Sequence, residues 1–122
     1  MELIEKELTY KIRGAVFEVS RQLGSGFLEK VYEKALMIEL KDNGLICENQ
    51  CPIEVIYKGK AIGEYFADIM VENKIIIEIK AQENMRPEHK AQLLNYLKAT
   101  EMKIGLLVNF THPKAQIERF VL

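Results

Sequence analysis

Residues 67–81 read ADIMVENKIIIEIKA, and the way this stretch folds decides what the rest of the chain builds. The run Ile75-Ile76-Ile77-Glu78-Ile79-Lys80 is apolar enough to be a strand covered on both faces. Side chains alternate along a strand, so Glu78 and Lys80 share one face with Ile76, and Ile75, Ile77 and Ile79 share the other. Asp68 sits in the apolar run before it, on the face of Phe66 and Met70. Asp68 joins the Glu78 face only if the connecting hairpin has even parity. That requires an odd-numbered loop, such as Val71-Glu72-Asn73 with Asn73 left-handed, a conformation asparagine tolerates. A two-residue loop turns Asp68 to the opposite face.

Outward from this hairpin the pattern changes on both sides. Upstream, CPIEVIYKGKAIGEYFADIMVENKIIIEIKA reads as three strands, with turns at Lys58-Gly59-Lys60 and Glu72-Asn73. Before them lie two helices. The first, over residues 2–22, belongs to a series of Leu3, Ile4, Leu8, Ile12, Ala15, Val16, Val19 and Leu23 at helical spacing, and Gly24-Ser25-Gly26 stops it. The second, over residues 27–43, has a stripe of Leu28, Val31, Tyr32, Ala35, Leu36 and Leu40, closed by Asn43-Gly44. Downstream, Pro87 opens a third helix, PEHKAQLLNYLKAT. Residues 104–110 (IGLLVNF) form a buried strand and residues 116–122 (QIERFVL) a short edge strand. The order α-α-β-β-β-α-β-β predicts an α/β fold around one mixed sheet, and residues 1–122 suit one domain.

Composition narrows the function. Hydrophobic residues make up 48% of the 122 and charged residues 29%, ordinary for a globular chain. A domain this small is expected to be modestly stable or helped by dimerisation, and with little surface to spare it would take specificity from a homodimer or a partner protein. A net charge of −1 and a pI of about 6.2 disfavour a protein that coats nucleic acid generally, though not a local basic groove. Cys47 and Cys51, if on one strand, are about 13 Å apart, too far for a disulfide. Zinc ligation by this pair is the less favoured reading beside ordinary reduced thiols. The charged N-terminal stretch fits neither a signal peptide nor a membrane span, so a cytoplasmic protein is expected.

With even parity, two carboxylates and an ammonium converge on neighbouring strands. Close carboxylates repel and are costly to desolvate, and a hard divalent cation such as Mg2+ or Mn2+ relieves both problems. The ammonium alongside suits orienting water or stabilising charge on a phosphate. Asp, Glu and Lys on strands also form plain cross-strand ion pairs, so Glu-x-Lys alone does not fix a function. Gln92 and Tyr96 share one face of the third helix, with His89 on the same side. Glu29, near the start of the second helix, flanks its apolar stripe; the helix dipole alone would also favour an acid there.

The series Asp68, Glu78-Ile79-Lys80 and Gln92-Leu93-Leu94-Asn95-Tyr96 resembles the Asp…Glu-x-Lys…Gln-x-x-x-Tyr motifs of RecB-like nucleases, in the PD-(D/E)XK superfamily. The segment Gly26-Phe27-Leu28-Glu29-Lys30-Val31-Tyr32 resembles the Gly-x-x-Glu-x-x-Tyr signature of the GxxExxY proteins within it. The resemblance covers residues 8–121 and implies a three-layer α/β/α, restriction-endonuclease-like fold. It implies Asp68, Glu78 and the Ile79 carbonyl as ligands of Mg2+ or Mn2+, Lys80 as the catalytic lysine, and Glu29 as a further acidic ligand or water-orienting group. Gln92 and Tyr96 would support the site, while Gly26 and Tyr32 would be structural. Ala67 replaces the motif's proline, and no cysteine set for an iron–sulfur centre is present. The implied activity is metal-dependent hydrolysis of DNA phosphodiesters. The alternative is a silent nuclease fold that docks nucleic acid or a partner protein.

Overall fold

The isoleucine run and its neighbours build the middle of a five-stranded sheet in the computed structural model, which describes residues 4–122. The elements in chain order are α1 (Lys6–Leu23), α2 (Glu29–Asp42), β1 (Cys47–Tyr57), β2 (Lys60–Val71), β3 (Ile75–Lys80), α3 (Pro87–Thr100), β4 (Ile104–Asn109) and β5 (Gln116–Val121). The sheet order is β1-β2-β3-β4-β5. All neighbours are antiparallel except β3 and β4, which α3 joins as a parallel pair. Ile75, Ile77, Ile79, Leu106 and Val108 pack against α1 and α2. Ile76 and Leu107 pack against Leu93, Tyr96 and Leu97 of α3. Helices therefore cover both faces, giving the expected three-layer α/β/α arrangement, and β3 and β4 are apolar on both sides for that reason.

The first helix begins at Lys6, after Glu5 in a left-handed conformation; Glu2 and Leu3 of the expected span lie outside the described residues. The second begins at Glu29, not at residue 27, because Leu28 is extended (φ −71°, ψ 156°). Tyr32 explains the difference. Its ring is fully buried and stacks on Phe110, 4.4 Å between centroids. Its hydroxyl donates to the Gly24 carbonyl (2.6 Å) and accepts from the Phe27 N–H (3.2 Å), holding the α1–α2 connection in place. Gly26, at φ 109°, supplies a turn a side chain would strain. This orientation leaves Leu28 and Val31 exposed, and Glu33 and Met37 take their places on the buried side of α2.

The turn between β1 and β2 is shorter than expected. Tyr57 pairs with Lys60, leaving Lys58-Gly59, both at positive φ, as a two-residue hairpin turn. The β2–β3 loop is Glu72-Asn73-Lys74, one residue later than expected, and Val71 pairs with Ile75. Its length is odd, as the parity argument required, and Asn73 is left-handed (φ 53°). Glu72 is left-handed too, fastened by its N–H to the Ile46 carbonyl (2.8 Å) and by its carboxylate to the Ile46 N–H. Cys47 and Cys51 lie on β1, both buried and free, in different clusters on opposite sides of the sheet.

Gly105 lies where α3 crosses β4. A Cβ there would sit 2.7–2.9 Å from three atoms of the buried Leu93 side chain. Gly14, in the exposed part of α1, has nothing within 4 Å of a built Cβ. Gly105→Ala should therefore destabilise the protein by about 1–3 kcal/mol through overpacking, and Gly14→Ala should stabilise it by about 0.5–1 kcal/mol. Denaturant unfolding of both variants checks the opposite signs.

Candidate active site

β2 and β3 share a ladder only from Val71↔Ile75 to Ile69↔Ile77. At the next rung Asp68 stands opposite Glu78, and the two strands part there. Each carboxylate takes over a backbone group that the parting leaves open. The Asp68 N–H donates to Glu78 Oε2 (2.7 Å), and the Ile79 N–H donates to Asp68 Oδ2 (2.8 Å). From this point β2 continues along β1, while β3 continues along β4 to Lys80↔Asn109. The sheet opens as a fork with an acid on each prong.

Neighbouring elements converge on the opening. On β1, Gln50 is left-handed (φ 49°), and the β1–β2 ladder skips it between Asn49↔Ile69 and Cys51↔Ala67. Its Nε2 donates to Glu33 Oε1 (2.7 Å) and, more weakly, to Asp68 Oδ1 (3.4 Å). Glu33 is buried and also accepts from Asn49 Nδ2 (3.1 Å). One helical turn earlier, Glu29 Oε2 accepts the Ala81 N–H (3.2 Å), just past Lys80. Asn109 closes the far side, accepting the Gln82 N–H (3.2 Å) and donating to the Gln82 carbonyl (2.7 Å). Lys80, half-buried, forms no ion pair among the described residues. From α3, Tyr96 is buried, and Gln92 and His89 are half-buried.

The electrostatics follow from burial and crowding. Glu78 is pushed from 4.5 up to about 8, first by burial and then by the charge of Asp68, with Lys80 only partly countering. Burial also raises Asp68, against the pull of the Ile79 N–H bond, and Glu33 adds to the rise. The Tyr96 hydroxyl is raised to about 12, by burial and then by the charges of Glu78 and Asp68. Burial and then Lys80 lower His89.

The donors at the fork fit a hard divalent cation. They are carboxylate oxygens whose mutual repulsion such an ion would relieve, with water completing its shell. They do not form a closed cage: among the described residues no group of three or more His, Cys, Asp or Glu is arranged to hold a metal. The buried, free Cys47 and Cys51 offer no support for the zinc reading.

Asp68 and Glu78 meet at the fork, Glu29 bonds the backbone just past Lys80, and Tyr96, one turn after Gln92 on α3, packs with Ile76 on the Glu78 face of β3. The sequence reading missed Glu33, Gln50 and Asn109. Glu33 lies one helical turn after Glu29, a spacing that would have placed both on one face. Gln50 carries no such signal: its left-handed backbone lies where the β1–β2 ladder is interrupted.

The profile of the PD-(D/E)XK nuclease superfamily matches residues 6–120. Nucleases of that superfamily generally use divalent metal ions. No curated protein matches the chain. Among solved structures, the chain is similar to SSO0001, with a TM-score of 0.58 and 25% identity over 75% of this chain; it spans 48% of that one, about half its length. It is also similar in fold to the alkaline exonuclease LHK-Exo from Laribacter hongkongensis (TM-score 0.57, 14% identity, 99% of this chain and 72% of that one). A structure of LHK-Exo in complex with dAMP gives a TM-score of 0.53 at 12% identity, covering 93% of this chain and 82% of that one.

A carboxyl whose pKa is higher folded than unfolded keeps its proton better when folded. Its contribution to stability is fully present below its unfolded value of 4.5 and is lost as pH rises through about 8. With a chelator present, the melting temperature should fall across that window, and Glu78→Gln should flatten the slope. A slope equally steep in both proteins would show that Glu78 does not carry it.

Proposed function

The chain belongs to the PD-(D/E)XK nuclease superfamily, and on that premise we propose that it is a metal-dependent nuclease hydrolysing phosphodiester bonds in DNA. The observation that carries this reading is the fork at which Asp68 faces Glu78, with Lys80 two residues along the same strand. Asp68, Glu78 and the Ile79 carbonyl would hold Mg2+ or Mn2+, with Glu29 as a further acid at the rim. When bound, the ion supplies Lewis-acid polarisation of the phosphate and a more acidic water.

The remaining work falls to this chain's own side chains. Water attacks phosphorus as the bond to the leaving deoxyribose oxygen breaks, and the proton that the water gives up is returned through solvent to that oxygen. The Lys80 ammonium stabilises charge gathering on the phosphate oxygens. Gln92 and Tyr96 position the strand from the α3 side. Glu33, through Gln50, holds Asp68 in its orientation. The GFLEKVY segment supports a place among the GxxExxY proteins: Tyr32 fixes the connection, and Glu29 projects beside Ala81. The dAMP bound to LHK-Exo favours a deoxynucleotide substrate.

A silent docking module is the second reading. It is favoured by the backbone hydrogen bonds that already occupy one oxygen of each fork carboxylate. End-labelled DNA incubated with manganese, magnesium or a chelator separates the two. The nuclease reading expects metal-dependent cleavage that disappears in Glu78→Ala; absent cleavage, or equal cleavage by both proteins, favours the module. Lys80→Ala should cut at least about 100-fold more slowly while keeping the manganese-induced rise in melting temperature. Asp68→Ala should lose both. Gln50→Ala should weaken manganese binding while the metal-free protein stays folded; unchanged binding would remove Gln50 and Glu33 from the positioning role.

A further inference from the structure

A groove of about 780 Å3 runs between the β1–β2 hairpin and α3. Val55, Ile56 and Tyr65 line one wall, and Gln92, Asn95 and Tyr96 the other. The Tyr65 and Tyr96 rings lie 5.9 Å apart and tilted at 47°, and Tyr65 is half exposed. The groove adjoins the fork: Tyr96, which lines it, packs in one cluster with Ile76, two residues before Glu78 on the same face of β3.

The lining says which part of a nucleic acid belongs there. Lys98 is its single cation, against Glu54 and Glu88. Two carboxylates repel a phosphate, so the backbone is excluded. An aromatic face and two carboxamides suit a base, which stacks on the ring and bonds to the amides through its edge. Bases inside a duplex are stacked on their neighbours and offer no face to a side wall.

We infer that this groove receives an unstacked nucleobase of a single strand, next to the nucleotide whose phosphate lies at the fork, with Tyr65 as its stacking platform. The inference deepens the nuclease reading and rests on it for the position of the phosphate. It assigns Tyr65 and Asn95 to substrate selection, favouring single strands or frayed ends over intact duplex.

The test is fluorescence anisotropy with a labelled oligonucleotide of mixed sequence, single-stranded or annealed to its complement. The protein is the full chain carrying Glu78→Gln, without metal, which keeps that position neutral at every pH and keeps the DNA intact. Single-strand binding should be tighter than duplex binding. Tyr65→Ala should weaken it about 5- to 100-fold, from the loss of one stacked base, while Tyr65→Phe retains it. Asn95→Ala, at an exposed position, should weaken it without lowering the melting temperature. Equal binding of the two DNA forms, or no effect of Tyr65→Ala, overturns the inference. So does a change in solution mass on Tyr65→Ala without a change in DNA binding, which would make the groove a contact between copies of the chain. Because no cleavage is read, a failed nuclease reading leaves this result intact, and metal-dependent cleavage with Tyr65 irrelevant removes the groove alone.

Discussion

The structure depends on a pair of reciprocal hydrogen bonds, from the Asp68 N–H to the Glu78 carboxylate and from the Ile79 N–H to the Asp68 carboxylate. They let two buried strands separate without leaving backbone donors unpaired, which would cost about 1–3 kcal/mol for each orphaned group. The two side chains that fill these positions must be acceptors. Asn or Gln would accept equally well, so the backbone does not require charge. Carrying it is expensive: holding Glu78 near 8 rather than 4.5 corresponds to roughly 5 kcal/mol against ionisation, comparable to burying two isoleucines. An arrangement that keeps two carboxyls where neutral amides would satisfy the backbone fits a site that needs their charge.

The rigidity around the fork comes from the apolar layers on either side. β3 is anchored by isoleucines that pack into both helix layers, so Glu78 and Lys80 have little freedom along the strand. α2 is located by Tyr32, through its stack on Phe110 and its bonds to Gly24 and Phe27, and this sets the direction in which Glu29 and Glu33 project. Asn109 does the same for the chain leaving β3, binding both backbone groups of Gln82. The acidic side chains are thus held by elements on three sides of the opening.

Much of this was legible because alternation along a strand is strict. Counting residues around the β2–β3 loop was enough to ask whether Asp68 could meet Glu78. The observed loop, one residue later than expected, keeps the parity and changes the opposing partner of Asp68 from Ile76 to Glu78. The α2 stripe was less legible. Leu28 and Val31 fit the helical period, but the period does not say which of two adjacent arcs faces inward, and the buried Tyr32 ring chose the arc containing Glu33 and Met37. An acid on a buried helix face contradicts the pattern that sequence reading relies on, which is why Glu33 went unseen. Gln50 was invisible for another reason: its left-handed backbone belongs to a break in the β1–β2 ladder, beyond which the hairpin's inward residues turn from the α1–α2 side to the α3 side.

The charge around the fork links the two partners proposed for it. Asp68, Glu78, Glu29 and Glu33 gather within one cleft, with Lys80 as the cation on the strand itself. The whole chain has a net charge of −1 and supplies no long-range attraction to offset whichever of these acids are ionised. A phosphate strand brought to the bare cleft meets repulsion in a partly desolvated place, where it is least screened. A divalent cation at the fork reverses the sign of the local field and so favours the strand; by linkage, a bound strand favours the cation by the same factor. The side groove escapes this coupling because what it would hold is a neutral base. Affinity for the strand would then divide between a cation-dependent part at the phosphate and a cation-independent part at the tyrosines, so a chain without net positive charge could still hold a strand in register.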